Sequence, residues 1–235
     1  VSYSMIIKDA FTSIKIEGAG DYLVNIFFLQ AIANPSITAP PPIKPGSVSF
    51  DSAVKKLKKH IEWWKYYTSI NKGSLDNNPS PGNKKGGLTT ILEKSLGAVA
   101  KSGSSTMKDV LSYAEPIKKK GFNYMDSPGY DPVSVTGQVA SGSNIICFTT
   151  GRGSCFGFKP SPSIKIATNT NMYNRLEEDM DINAGLIMDG ESDIKKTGEE
   201  IFKHIIDTAS GKLTKSEVNG YGDDEFNPWV IGATM

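Results

Sequence analysis

A Gly-Arg-Gly sequence at residues 151–153 is the first feature of this chain that could do chemistry. Only two of the 26 basic residues are arginine, Arg152 and Arg175. In so lysine-rich a chain, an arginine between two glycines indicates that this position needs a planar guanidinium rather than the ammonium of a lysine. That group can hold a carboxylate through two parallel hydrogen bonds, and flanking glycines add no side chains to crowd the contact. The sequence therefore predicts a carboxylate-binding residue at Arg152.

A second candidate is the segment NNPSPGNKKGG at residues 77–87. Its asparagines, prolines and glycines are typical of a loop rich in turns. The sequence that follows, from Leu88, reads as a helix with an apolar face. Glycine-rich backbone before a helix start offers free N–H groups and the positive end of the helix dipole, and Lys85 adds charge. The segment fits an anion-binding loop and an ordinary surface loop equally well.

Three strand-like segments, GFNYMD, NIICFTT and SIKIAT, must position these groups. Between the first two, PVSVTGQVAS reads as a helix with proline in its first turn. Strand, helix and strand at these lengths predict a βαβ unit with parallel strands buried on both faces. The predicted fold class is therefore α/β, with a mainly parallel sheet flanked by helices.

Each of these strands ends in a polar loop, which predicts where a ligand would bind. In open parallel sheets, ligands lie beyond the carboxyl ends of the strands. We therefore expect a ligand cleft at the strand C-terminal ends, with Asp126, Arg152 and Asn169 around it. Cys147 falls inside the second strand and is expected in the core, whereas Cys155 falls in the following loop.

Two helices are indicated by apolar spacing. Near residues 52–67, apolar positions recur every three or four residues and form a stripe, and His60 lies off that stripe, so we expect a solvated surface histidine. The neighbouring Trp63, Trp64, Tyr66 and Tyr67 are interpreted as packing residues rather than a stacking platform. A last helix is predicted over 192–209, and the tail is expected to pack back through Phe226 and Trp229.

The acidic segment EEDMDINAG alternates polar Asp179, Asp181 and Asn183 with apolar residues. As a strand it would present three oxygen side chains on one face, which suits a hard cation. An edge strand with a solvated acidic face has the same pattern, and we favour that second interpretation. His204, on the last helix, is expected to face solvent or a satisfied partner.

Composition excludes several classes of function. The 235 residues suffice for one large domain, or one domain with an appendage, and the net charge of +1 predicts neither a nucleic-acid nor a membrane-surface partner. Two cysteines are too few for a disulfide scaffold, which favours a reduced cytoplasmic setting. The longest apolar run, residues 22–33, is too short to span a bilayer. Residues 1–48, including a Pro-rich connector, form an unassigned leader before a domain predicted over 49–235.

The motifs NNPSPGNKKGG, GFNYMDSPGYDP, ICFTTGRGS, PSIKIATNT, EEDMDINAG and FNPWVIGATM resemble the carboxy-terminal region of the altronate/galactarate dehydratase family. The resemblance runs in order from about residue 52 to residue 235, and two motifs, DMDINAG and FNPWVIGATM, resemble the altronate branch more closely. Family members resemble one another in having a small amino-terminal domain and a large middle region, neither of which has a counterpart here. We expect this chain to hold part of the active site.

The resemblance implies elimination of water from a hexonate such as D-altronate, giving a 2-keto-3-deoxy acid. Iron(II) is the expected metal, with another divalent metal as the alternative. The expected catalytic residues are Lys85, Asp126 and Arg152, and the expected metal ligands are Asp126 and Asp131. Sugar-acid binding is assigned to residues of the polar loops: Asn78, Ser80, Asn83, Gly86, Thr149, Gly151 and Asn169. A homo-oligomer is compatible with these expectations.

Two other functions are compatible with the same residues. The chain could be a non-catalytic sugar-acid-binding fragment or subunit that lacks the upstream half of the active site. It could also be a related lyase acting on another 2-hydroxy acid, such as a sulfonated one. The altronate-like ending favours the hexonate over the sulfonated acid.

Overall fold

The computed structural model describes residues 26–29, 48–73, 85, 107–230 and 232. None of the helices in these ranges combines the length and the apolar character needed to cross a lipid bilayer. In chain order, the elements are β1 (Ile26–Leu29), α1 (Val48–Ile70), β2 (Met107–Leu111), β3 (Phe122–Met125), α2 (Asp131–Ala140), β4 (Ile145–Thr150), β5 (Ser163–Ala167), α3 (Thr170–Arg175), β6 (Ile182–Asn183), a 3-10 turn (Ala184–Ile187), α4 (Ile194–Ala209) and α5 (Lys215–Val218).

The main sheet has the strand order β1-β4-β5-β6, and every neighbouring pair is parallel. In its centre, Cys147 of β4 lies opposite Ile164 of β5, and Phe148 lies opposite Lys165. All five residues of β5 are buried, as are the first five of β4. Continuous burial requires cover on both faces of the sheet, so the predicted α/β class is confirmed.

Side chains alternate between the two faces of these strands. One face packs against α4, whose Ile201 and Ile205 are fully buried, as predicted from the spacing of the helix. The other face packs against α2 and the loop after β4. That second layer contains Val135, Ile146, Phe148, Phe156 and Phe158.

The predicted partner of the GFNYMD strand was wrong. β3 does not join β4 in the main sheet but pairs in parallel with β2, a strand that the sequence reading missed. β4 pairs instead with β5, without a helix between them. The physical reason lies in burial: β4 and β5 are buried on both faces, whereas only Met125 of β3 is buried, so β3 suits a sheet covered on one side by α1.

Helix α1 covers this second sheet with the predicted apolar stripe. Ala53 and Leu57 are buried against Met107 and Val110, while Val54 and Ile61 pack beside them. At the far end of the helix, Trp64 stacks on Trp229 with ring centroids 5.5 Å apart. The prediction that the tail packs back through Trp229 is therefore confirmed.

The other predicted anchor of the tail, Phe226, was wrong, because its side chain is exposed. Among the α1 aromatics, Trp64 and Tyr67 are buried, whereas Tyr66 is exposed and Trp63 is partly so. The Tyr67 hydroxyl donates to the Gly232 carbonyl, and the Gly232 N–H donates back to that hydroxyl over 2.9 Å. Trp63 nevertheless stacks on Tyr67 with ring centroids 4.7 Å apart, so the packing interpretation holds for Trp63, Trp64 and Tyr67.

The acidic segment EEDMDINAG is not the edge strand with a solvated acidic face that we favoured from the sequence. β6 is only two residues long, and Asp181 just before it is almost fully buried instead of solvated. Its carboxylate accepts hydrogen bonds from the N–H of Lys165 over 2.7 Å and of Lys215 over 2.9 Å. Asn183 accepts from the Gly185 N–H and so caps the 3-10 turn. These side chains tie the end of the sheet to α5 rather than forming an exposed acidic face.

The leader contributes to the main sheet as well. β1 lies within residues 1–48 and pairs along its whole length with residues 145–148 of β4. The domain boundary at residue 49, and the expectation that the leader lies outside the catalytic core, stay predictions. The segment from 88 to 100, read as a helix, lies outside the described residues.

The charged contacts of Asp109 join α1 to the second sheet. Its carboxylate lies 2.8 Å from Lys56 Nζ on α1 and 3.0 Å from Lys119 Nζ, and it accepts from the Val110 N–H. Burial alone would raise the pKa of Asp109, but these hydrogen bonds outweigh it and hold the pKa below its usual value of 3.8. Folding therefore stabilises the ionised form of the Asp109 carboxylate relative to the protonated form.

We predict that Asp109→Asn lowers the free energy of unfolding by about 1–2 kcal/mol at pH 7, since charge-assisted hydrogen bonds are lost. A folded pKa below the unfolded value gives stability that is present above pH 3.8 and lost as pH falls through the folded pKa. Urea unfolding at a series of pH values should show the difference between variant and wild type shrinking below about pH 4.

The matched control is Asp223→Asn, which breaks an exposed ion pair with Lys159. Exposed pairs contribute little, so this variant should stay within about 0.5 kcal/mol of wild type at every pH. If the difference in unfolding free energy between Asp109→Asn and wild type did not depend on pH, the lowered pKa of Asp109 in the folded state would be contradicted.

Candidate active site

The loops after β4 and β5 meet at one edge of the main sheet. The Thr168 N–H donates to the Thr150 carbonyl over 3.1 Å. One residue further along, Asn169 Nδ2 donates to the Gly151 carbonyl over 3.0 Å. Thr149 lies just below this edge and is buried. The structure therefore brings together three predicted substrate-binding residues, Thr149, Gly151 and Asn169.

The segment after β6 joins the same edge. Asn183 Nδ2 donates to Thr170 Oγ1 over 3.1 Å, and Asn169 Oδ1 accepts from the Met172 N–H and so caps α3. Gly185 allows the segment after β6 to approach Thr170 closely, because a Cβ at position 185 would lie 2.3 Å from the Thr170 nitrogen. Three loops from three neighbouring strands therefore converge at the carboxyl ends, where parallel sheets bind ligands.

Arg152 stands at this edge with its side chain exposed. Its two hydrogen bonds to described residues both involve its backbone: its N–H donates to Thr150 Oγ1, and its carbonyl accepts from Arg175 Nη2 over 3.2 Å. In the described part of the chain the Arg152 guanidinium makes no ion pair with Asp126 or Asp179. Nothing in these contacts gives the guanidinium a structural role.

The second glycine of the Gly-Arg-Gly sequence, Gly153, is required by the backbone conformation and by packing, which the sequence reading missed. Gly153 has a φ of +93°, and a Cβ there would lie 2.0 Å from Leu176 Cδ1 at the end of α3. A side chain at this position would therefore be strained and would clash. The glycine lets the loop pack closely on α3, which brings Arg152 beside Arg175.

Asp126 lies in a different group of residues, at the end of β3. Oδ1 accepts from Trp64 Nε1 over 2.8 Å, and Oδ2 lies 3.0 Å from His60 Nδ1. Tyr124 is partly buried beside it, and removal of its phenol from water, reinforced by the Asp126 charge, raises the pKa of that phenol well above its usual range. Asp126 is thus held by two ring nitrogens of α1.

The prediction of a solvated His60 was wrong. The side chain is mostly buried and faces Asp126, because its position on α1 lies four residues before Trp64, on the same side of the helix. An aspartate at Nδ1 leaves Nε2 to accept or donate a proton. His60 and Asp126 form a dyad of the kind used in general acid–base catalysis.

Within the described ranges, no contacts join the residues around Asp126 to the loops that carry Arg152 and Asn169. No hydrogen bond or ion pair there links Asp126 with Arg152 or Asn169. That all three residues surround one cleft therefore stays a prediction. Asp131 begins α2, and Lys85 is helical and exposed. Asn78, Ser80, Asn83 and Gly86 lie outside the described residues.

The described residues do not fit an iron site by themselves. Within them no three His, Cys, Asp or Glu side chains are gathered so as to hold a metal ion. Both oxygens of Asp126 are already engaged, by Trp64 and His60. The expected ligand pair of Asp126 and Asp131 is therefore short of ligands for iron(II), which binds several imidazole and carboxylate groups.

The cysteines behave as their positions in the sequence suggested. Cys147 is fully buried in β4, and burial raises the pKa of its thiol far above the usual range. A thiol that stays protonated is a poor nucleophile. Cys155 is exposed in the loop after β4. Neither residue forms a disulfide.

Sequence reasoning missed two members of the site. Arg175 could have been found from its rarity, because the chain has only one other arginine and the two meet at the sheet edge. His60 had no such signal, since its partner lies 66 positions away and depends on how α1 docks on β3.

Comparisons with known proteins agree with this architecture. Residues 48–234 match the family described as D-galactarate/Altronate dehydratase, C-terminal. The chain is 47% identical over 158 residues to a galactarate dehydratase (L-threo-forming) of Escherichia coli strain K12, covering 67% of this chain and 30% of that protein. It is 38% identical over 166 residues to an altronate dehydratase of Bacillus subtilis strain 168, covering 71% and 33%.

A further relative is an altronate dehydratase of Escherichia coli strain K12, 36% identical over 171 residues, which cover 73% of this chain and 34% of that protein. Identity to the galactarate dehydratase is thus higher than to either altronate dehydratase, contrary to the predicted closeness to the altronate branch. The chain spans about a third of the length of these relatives. Its match over residues 48–234 shows that it belongs to the D-galactarate/altronate dehydratase family, as part of the family's carboxy-terminal region.

Proposed function

We propose that this chain is the carboxy-terminal catalytic region of a sugar-acid dehydratase. The proposed reaction removes a proton from C2 and hydroxide from C3 of a hexonate or hexarate. The resulting enol then tautomerises to a 2-keto-3-deoxy acid, so that water is the only other product and no redox partner is needed. The observation that carries the proposal is the family match over residues 48–234, with relatives that are named dehydratases of galactarate and altronate.

In this proposal, Arg152 holds the substrate carboxylate. Charge builds on that group as the C2 proton leaves, and a guanidinium that binds it bidentately stabilises the transition state more than the ground state. At the converging loops, the guanidinium has no partner among the described residues while the backbone atoms of Arg152 anchor the residue, which supports this role. Lys85 adds positive potential, and the amides and hydroxyls of Thr149 and Asn169 bind sugar hydroxyls.

The proton steps fall to the His60–Asp126 dyad. Asp126 orients the imidazole through Nδ1, so Nε2 is the atom that takes or gives a proton. Asp126 then acts as a positioning residue rather than the general acid itself. The iron(II) implied by the family resemblance would take its ligands at least in part from residues outside the described ranges or from another chain, and no step here relies on it.

Two arginines at one edge favour a particular substrate. D-Galactarate carries a carboxylate at each end, whereas D-altronate carries one, so a second arginine at the same edge of the sheet suits the hexarate. The Arg152–Arg175 contact and the higher identity to the galactarate dehydratase both support this choice. D-Altronate remains the competing substrate.

Incubation with D-galactarate or D-altronate tests the proposal directly. The chain is assayed alone and together with the upstream region of a relative, and formation of the 2-keto acid is followed with a carbonyl reagent. We expect a 2-keto-3-deoxy product, formed faster from galactarate. Saturable binding of either acid without product in both formats would favour the non-catalytic binding fragment, and absence of both binding and product would refute the proposal.

Arg152→Lys is predicted to lower the rate about a hundredfold in whichever format is active, because lysine cannot reproduce the bidentate contact. The melting temperature should not change, since the two hydrogen bonds of Arg152 use backbone atoms. Arg175→Lys is the matched comparison, and it should weaken galactarate turnover more than altronate turnover. A lower melting temperature with unchanged turnover would end the carboxylate-binding role of Arg152.

His60→Gln is predicted to keep a hydrogen bond to Asp126 but to lower kcat by about 100-fold or more, since an amide cannot transfer the proton. The fold should persist, as judged by the melting curve. His204→Gln, at the only other histidine of the sequence, is the control and should retain activity. Equal kcat for wild type and His60→Gln would remove His60 from the mechanism.

A further inference from the structure

Lys165 lies in the middle of β5 and is fully buried. Its neighbours Ile164 and Ile166 belong to the core against α4, so strand alternation places Lys165 on the opposite face of the sheet. Its Nζ has no hydrogen-bond partner among the described residues. A buried ammonium without a partner is strongly unfavourable, and so it calls for an explanation.

The surroundings of Lys165 are partly aromatic and partly acidic. Its Nζ lies 5.8 Å from the ring centroid of Tyr221, a distance at which a cation is attracted to the ring. Burial lowers the pKa of Lys165, and Lys215 adds to this, while Asp179, Asp181 and Cys155 act in the opposite direction. The resultant pKa is lower than usual, so the nearby carboxylates do not fully compensate for burial.

The two carboxylates have different contacts. Asp181 is occupied by the N–H groups of Lys165 and Lys215. Asp179, in contrast, has a buried Oδ1 with no hydrogen-bond partner among the described residues. Lys165 forms no ion pair with either of them in that part of the chain. A buried donor and a buried acceptor of opposite charge thus influence each other without contact and have no partners among the described residues, whereas a structural ion pair would be in contact.

We propose that Lys165 Nζ and Asp179 Oδ1 together bind the 2-hydroxycarboxylate end of a sugar acid. The carboxylate accepts a hydrogen bond from the ammonium, and the hydroxyl on the next carbon donates one to Asp179. Each unsatisfied group then gains the partner that its chemistry requires. The identity of the ligand rests on the proposed function, because hexonates and hexarates both carry a hydroxyl beside a carboxylate.

Two exposed residues, Cys155 and Tyr221, border the site. Cys155, close enough to Lys165 to influence its charge, is exposed in the loop that also carries Arg152. Tyr221, whose ring faces Nζ, is 40% exposed. A ligand would therefore enter between this loop and the tail rather than through the packed face against α4.

Glycolate and acetate test the proposal, because they differ only in the hydroxyl beside the carboxylate. With sodium chloride at matched ionic strength as the reference, glycolate should raise the melting temperature of the full chain, and acetate should raise it less. Lys165→Met should weaken glycolate binding about tenfold or more, since a charge-assisted contact is lost. Asp179→Asn should bind the two acids more equally. Lys159→Met, at an exposed lysine, should behave as wild type.

The double variant Lys165→Met/Asp179→Asn guards against misfolding of the single variants. It removes both buried charges together, and such replacements are often neutral or stabilising. We expect its melting temperature without ligand to equal or exceed that of wild type, with no response to glycolate. A double variant that is less stable and still responds to glycolate would show that Lys165 is a structural residue, and would overturn the proposal.

Failure of this site and failure of the proposed function give different results. Glycolate binding that depends on Lys165, in a chain that never dehydrates a sugar acid, would support the site and refute the reaction. Dehydration that survives in the double variant with unchanged KM would refute the site and leave the reaction intact. Wild-type protein with no response to glycolate beyond that to sodium chloride would also refute the site.

Discussion

The parallel pairing of β4 with β5 is the constraint on which the other features of the main sheet depend. Ile146–Thr150 pairs in register with Ser163–Ala167, and both strands are buried nearly throughout. Parallel strands end at the same edge, so their following loops must meet there. The contact between Asn169 and the Gly151 carbonyl is the direct result. Arg152 is carried to that edge by the strand before it, not by contacts of its own side chain.

Burial on both faces has a second consequence, because every side chain of β5 must lie in a packed layer. For Ile164 and Ile166 this is favourable, but it places the Lys165 ammonium out of water. Asp181 uses its charge to hold two backbone N–H groups, whereas Oδ1 of Asp179 has no hydrogen-bond partner among the described residues. An arrangement of this kind costs stability, which is common at sites that bind ligands.

Helix α1 positions the other candidate residues, His60 and Asp126, through different physics. Its apolar stripe packs on β2 and β3, and its last turns are held by stacking of Trp64 on Trp229. The same docking places Trp64 Nε1 and His60 Nδ1 on the carboxylate of Asp126. Hydrophobic packing, which is not directional, thus sets the position from which two directional contacts are made.

The sequence by itself determined the α/β class, the strands 145–150 and 163–167, the apolar faces of α1 and α4, and the likeness of residues from about 52 onwards to one dehydratase family. These follow from periodicity, composition and long motifs, which are local properties. Only the tertiary structure decided that β3 leaves the main sheet, that His60 meets Asp126, and that the two arginines lie together. Only it showed that Asp181 is buried and that Lys165 Nζ has no hydrogen-bond partner in the part of the chain that the structure describes. Periodicity indicates whether a residue is buried but not which residues it packs against. Each of these contacts joins residues that are far apart in the chain.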